Sequence, residues 1–249
     1  MLFKLNTSLI IVFVSLSFGS FAKEPKVALR VVASEHHLLQ YRENGENKGP
    51  TIEILNAILN TASLKANVSF MPWARAFSSA KNNPNTLILS MIRTPEREAY
   101  FHWLIKVSQL ARVFVSLESR PENHIENIEQ AKTKLIAVVL GSAEYNELIS
   151  QGFSQGNNLY TVADDKHMVN LLANGRVDLV YADPNNVQDN LISIGKANVA
   201  ISYQTISPKN QRNSFIAINK ATDKDIVKRL QQAASSFKKT AKYTKLLTK

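Results

Sequence analysis

The chain has no cysteine, so disulfides, thiolate metal sites and thiol nucleophiles are excluded together. It is also short of tether-forming residues, with 8 glycines and 8 prolines in 249 residues. A flexible linker between independent domains is therefore not expected, and neither an internal repeat nor a low-complexity segment is present. After the first two dozen residues, no apolar run approaches the ~20 residues of a membrane-crossing helix. Catalytic signatures are missing as well: there is no G-x-S-x-G elbow, no H-E-x-x-H and no phosphate-cradling glycine loop. The histidines, at 36, 37, 102, 124 and 167, never fall two to one helical face. No metal site, no cofactor and no enzymatic activity are expected.

What is present begins with an export signal. Lys4, the apolar run 9–18 and the small-x-small triplet Ser20-Phe21-Ala22 read as a signal peptide over residues 1–22, cleaved near Ala22. Ser15 and Ser17 interrupt the apolar run, and no cysteine follows it to carry a lipid. The expected location is the periplasm. A net charge of +10 is compatible with a solvated basic surface, an anionic ligand or an anionic membrane face. Nucleic acid is not an expected partner, because no aromatic-basic binding motif accompanies the charge.

Apolar runs rich in β-formers alternate with runs of helical period, which is the α/β pattern. Strands are expected at 27–33, 66–71, 86–92, 112–117, 135–140, 158–162, 178–182 and 214–219. Several are almost continuously apolar, as befits strands covered on both faces. A helix is expected over 50–62, with Pro50 in first position and Ile52, Leu55, Ile58 and Leu59 on one stripe. Others are expected over 165–174, stopped by Gly175, and 223–239, opened by the capping-box-like Thr222-x-x-Asp225. Polar breaks at 107–111 and 204–208 would be two crossings between lobes. They divide the chain into 23–108 with 206–249, and 109–205.

Two chain reversals, 93–103 and 174–186, each carry one charged side chain of interest. Thr94-Pro95-Glu96-Arg97 reads as a helix start with Thr94 as cap, where free N–H groups favour an anion. Arg97 either grips a carboxylate with two parallel bonds or pairs with Glu96 or Glu98 at the surface. Asp183 ends a strand; it can accept from an ammonium group, cap a short helix over 184–190, or do both. Ser142 opens a helix over 143–149, either as a plain cap or in a turn that donates to the same carboxylate. Trp73, at a strand-to-helix junction, either walls a pocket or fills the core, and Arg75 beside it offers a second cation. Ser34-Glu35-His36-His37 follows the first strand and would line a cleft mouth. Tyr41, Tyr181 and Trp103 are weaker aromatic candidates.

Segments 93–103 (RTPEREAYFHW), 140–144 (LGSAE) and 168–186, with NGRVDLVYAD inside it, together resemble the family 3 extracellular solute-binding proteins. These are periplasmic receptors of polar amino-acid ABC importers. The resemblance implies a two-lobe, type II periplasmic-binding fold hinged at two crossing segments. It implies that Arg97 holds an α-carboxylate and Asp183 an α-ammonium. Ser142 would support the carboxylate from the second lobe, and Trp73 would pack on the ligand. The implied partners are a small amino acid or carboxylate and the permease of an ABC importer, or alternatively a membrane sensor, met by a monomer. The same fold hosts periplasmic dehydratases, for which Glu35 or a histidine would be the acid. The chain departs from the family pattern at Gly49-Pro50-Thr51, where Gly-aromatic-Asp is usual, at Ile92-Arg93 and at Thr86. Arg75 and Arg93 add positive charge that points to an acidic or dicarboxylate ligand.

Overall fold

The computed structural model describes residues 29–206 and 211–247. The expected signal peptide, the first two residues of the strand at 27–33 and part of the 204–208 break lie outside the described residues.

Twelve strands and eight helices follow one another along the described chain. The first half runs β1 (Leu29–Ala33), β2 (Tyr41–Glu43), β3 (Glu46–Lys48), α1 (Pro50–Thr61), β4 (Ala66–Phe70), α2 (Trp73–Asn82), β5 (Thr86–Ile92), β6 (Phe101–Ala111) and β7 (Val113–Leu117). The second runs α3 (Ile128–Lys132), β8 (Ile136–Val139), α4 (Ala143–Ser150), β9 (Leu159–Val162), α5 (Asp165–Ala173), β10 (Leu179–Ala182), α6 (Pro184–Ser193), β11 (Ile201–Gln204), β12 (Gln211–Asn219), α7 (Lys224–Phe237) and α8 (Ala241–Leu247).

The strands form two five-stranded mixed sheets, ordered β4-β1-β5-β12-β6 and β11-β7-β10-β8-β9. In the first, β1 pairs in parallel with β4 and β5. In the second, β8 pairs in parallel with β9 and β10. The chain passes to the second sheet at Arg112, between β6 and β7, and returns after β11. Each sheet carries helices because its strands are apolar on both faces; β5 and β10 have almost no exposed side chain.

Three apolar clusters hold this together. One packs Ile54, Leu55 and Ile58 of α1 and Leu230 and Phe237 of α7 on the first sheet. Another fills the second sheet's far side around Phe114, Ile136 and Leu148. The third spans both sheets, joining Val32, Trp73 and Met91 to Val139, Met168 and Ala182. Each large side chain so buried contributes about 1.5–3 kcal/mol.

Several expectations need correction. Residues 107–111 are not a polar break but the end of β6, so the first sheet runs past the expected boundary at 108/109. That strand is held by a partner about a hundred residues away, β12, through a ladder from Phe101↔Asn219 to Ala111↔Gln211. No local pattern marks it, because two register shifts break its alternation. Arg97 does not open a helix: Pro95–Arg97 is a single 3-10 turn, and the Thr94 side chain makes no cap bond. Helix α7 is capped by Asp223, which accepts from the N–H groups of Asp225 and Ile226. The hydroxyl of Thr222 instead accepts from the N–H of Asn85 at 2.9 Å. The β2–β3 hairpin, α3, β11 and α8 have no counterpart in the sequence reading.

Candidate functional site

Parallel strands direct their carboxyl ends to one side of a sheet, and the loops that follow them build clefts there. Here both sheets do this toward a shared cavity. From the first sheet come Ser34 after β1, Trp73 after β4 and Ile92 at the end of β5. From the second come Ser142 after β8, Asp165 after β9 and Asp183 after β10. The cavity has a volume of about 110 Å³, below the ~300 Å³ at which drug-sized ligand pockets begin. It suits a small solute.

Arg97 lies in its wall, only 4% exposed. Nη1 donates to the carbonyl of Ile92 at 2.9 Å, and Nη2 lies 3.5 Å from the carbonyl of Gly141. The guanidinium sits against aromatic rings, with Cζ 5.4 Å from the Trp73 centroid and 5.0 Å from that of Phe77. Among the described residues no carboxylate forms an ion pair with it. Burial lowers its pKa to about 10, against the opposing pull of Glu144 and Glu96. A buried guanidinium without a counter-ion is costly to leave unmatched. The other arginines expected here behave differently. Arg93 forms a two-pronged pair with Glu98, at 2.7 and 3.1 Å, on the surface, and Arg75 is exposed on α2, outside the cavity lining.

Trp73 is buried, and its Nε1 donates to the carbonyl of Gly141 at 2.9 Å, joining α2 to the turn after β8. Ser142 caps α4, its hydroxyl accepting from the N–H of Tyr145 at 3.0 Å, and it lines the cavity too. Asp183 has two structural bonds. Oδ1 accepts from the N–H of Asn185 at 2.9 Å, capping α6, and Oδ2 accepts from the N–H of Ala111 at 2.6 Å, at the crossing between sheets. A carboxylate has about four lone-pair sites, so room for a ligand donor remains. Glu35 is exposed and outside the lining, whereas Ser34 and His36 on either side of it are in the lining.

The sequence reading missed Gln40, Ser90, Glu144, Asp165 and Asn186 as lining residues. Ser90 hydroxyl donates to Gln40 Oε1 at 2.6 Å and lies 3.1 Å from Thr51 Oγ1, while Gln40 Nε2 donates to the Ser34 carbonyl at 3.1 Å. Thr51, which departs from the family pattern, is thus a buried brace for this chain of bonds. Ser90 has φ 50° where the β5–β12 register shifts, so a bulge aims it at the cavity. No local motif announces either residue. Asp165 was legible only as a helix start. It accepts from Asn186 Nδ2 at 3.0 Å, and burial raises its pKa to about 6. His36 has an Nδ1 that is buried without a partner, and burial lowers its pKa to about 4, although Asp183 pulls the other way.

The arrangement presents one guanidinium, three carboxylates and several hydrogen-bonding groups of the described residues to the cavity. Among the described residues, no group of three His, Asp or Glu side chains is placed to hold a metal ion, and no helix is long and apolar enough to cross a membrane.

Residues 29–249 match the family described as bacterial extracellular solute-binding proteins, family 3. The L-cystine-binding protein TcyA of Bacillus subtilis (strain 168) is 21% identical over 201 residues, 81% of this chain and 71% of the relative. An ancestral arginine-binding protein bound to arginine superposes with TM-score 0.74 at 21% identity, covering 88% of this chain and 96% of the other. A histidine kinase sensor domain with similarity to periplasmic binding proteins superposes with TM-score 0.77 at 14% identity, covering 88% and 94%. These likenesses carry the two-lobe periplasmic-binding type II fold.

Proposed function

We propose that this chain, which belongs to family 3 of the bacterial extracellular solute-binding proteins, captures a small α-amino acid or related carboxylate between its two lobes. The observation that carries this reading is Arg97, a buried guanidinium with no carboxylate partner among the described residues, set in the wall of the cavity between the sheets. A solute carboxylate supplies the missing charge. Asp183 accepts from the solute's ammonium group, Ser142 borders the carboxylate from the second lobe, and Trp73 packs against the bound solute. The hinge lies at Arg112 and at Thr205 and Ile206 on the return from β11, so opening the lobes admits the solute and closing them expels water. Expelling water strengthens every charged hydrogen bond inside. The exported protein acts in the periplasm, and the closed form is what the permease of an ABC importer recognises.

The test is calorimetric titration of the mature protein with a panel of free amino acids and dicarboxylates, alongside Arg97→Met. A bound solute at 100 times its dissociation constant adds about 2.7 kcal/mol, a thermal shift of about 5–10 °C at this size. The wild type is expected to bind at least one α-amino acid, and the variant none while still folded. Equal affinity in the two proteins would refute the assignment.

A further inference from the structure

The charge of the cavity lining goes further than the presence of a clamp. Among the described residues it holds three carboxylates, Glu144, Asp165 and Asp183, and one guanidinium, Arg97. Arg75 and Arg93, which on sequence suggested an acidic ligand, contribute nothing to it. A solute carboxylate placed on Arg97 leaves that acidic excess standing. A zwitterion does not reduce it, an acidic amino acid increases it, and only a solute with a second cationic group lowers it. At a half-buried site, where charges interact more strongly than in bulk water, these differences count.

Asp165 is the carboxylate free to meet such a group. Asp183 already accepts from two backbone N–H groups, and Glu144 acts on Arg97 itself. Only Asn186, among the described residues, donates to Asp165. The groups acting on it are Asp164 beside it and His37 from the loop after β1, and neither forms an ion pair with it. Nearby in the wall, the buried Nδ1 of His36 has no partner. Two polar groups in the same cavity are therefore short of partners, and a carboxylate short of donors calls for N–H groups bearing positive charge.

We infer that this cavity selects α-amino acids with a cationic side chain, and that Asp165 is the residue that selects them. This rests on the reading of the cavity as an amino-acid site. The test compares the wild type and Asp165→Asn by calorimetry with L-arginine, L-citrulline and L-glutamate. Citrulline reproduces the size of arginine without its charge. The wild type is expected to bind arginine about tenfold or more tightly than citrulline, as befits a charge-assisted bond, with glutamate weaker still. Asp165→Asn, checked for folding by its melting curve, is expected to narrow the arginine-to-citrulline ratio to within about threefold. Citrulline or glutamate binding as tightly as arginine would overturn the inference and leave the amino-acid reading standing. So would an unchanged ratio in a folded Asp165→Asn. Failure of all three, together with the wider amino-acid panel, would overturn both.

Discussion

The indole Nε1 of Trp73 donates to the carbonyl of Gly141 across 2.9 Å, tying the first turn of α2 to the turn that follows β8. One residue belongs to the layer of the first sheet and the other to the second. The bond crosses the cleft beside Arg97, whose Nη2 approaches the same carbonyl at 3.5 Å. It therefore ties the two layers together beside the cavity that Trp73 borders.

Trp73→Phe removes this bond and keeps an aromatic surface. One hydrogen bond contributes about 1 kcal/mol, so solute affinity is expected to weaken about fivefold. Tryptophan fluorescence provides a second check, because only Trp103 then remains. A solute-induced emission change in the wild type is expected to vanish in the variant. An undiminished change would place the reporter elsewhere and remove Trp73 from the closing contact.

Asp183 has separable structural and charge roles. Asp183→Asn keeps an acceptor for the Asn185 N–H, and asparagine caps as well as aspartate, but its amide nitrogen cannot accept from the Ala111 N–H. It is expected to lose about 1–3 kcal/mol of stability from that unpaired N–H. Asp183→Ala loses the cap and leaves the Ala111 N–H unpaired, a loss of about 2–4 kcal/mol. Denaturant titration distinguishes them. Similar stabilities for the two variants would show that the cap bond at 2.9 Å contributes little.

Gly49 has φ 107°, and a Cβ there would run into the backbone carbonyl of Leu39. That carbonyl also accepts from the N–H of Thr51 at 3.0 Å, so it cannot simply move away. Gly49→Ala is expected to destabilise by about 1–3 kcal/mol and to weaken solute binding, because the displaced loop carries Gln40 and His36. A variant of wild-type melting temperature would show that the loop yields freely.

Asp165 and His36 shift stability with pH in opposite senses. Burial raises the Asp165 pKa from 3.8 to about 6, so between these values the folded state binds the extra proton. Stability from this group therefore falls as pH rises through the window. For His36 the folded value is about 4 against 6.5, so the unfolded state binds the extra proton, and stability rises with pH. Asp183, Asp189 and His37 also act on His36, as Asp164 and His37 do on Asp165. The wild type is expected to melt at nearly constant temperature between pH 4 and 6. Asp165→Asn leaves the histidine alone, so its melting temperature should climb over that range. A flat profile in the variant would contradict the burial of His36.

The α/β class, eight strands and five helices were readable along the chain, because apolar period and caps are local properties. Ser142 before α4 and Asp183 before α6 stand at caps whose bonds involve the next three residues. The clamp candidates were readable through family resemblance and through their place at strand ends. Tertiary structure decided the rest. Strand β6 exists because β12 pairs with it from the far end of the chain. Arg97 is buried against Trp73 and Phe77, rather than paired with Glu96 or Glu98, because α2 lies over it. Ser90 and Gln40 meet through a bulge and a loop 50 residues apart, and Asp165 faces the cavity only because β9 ends beside β8. Which charges share the cavity depends on distances between segments remote in sequence. No spacing along the chain encodes those distances.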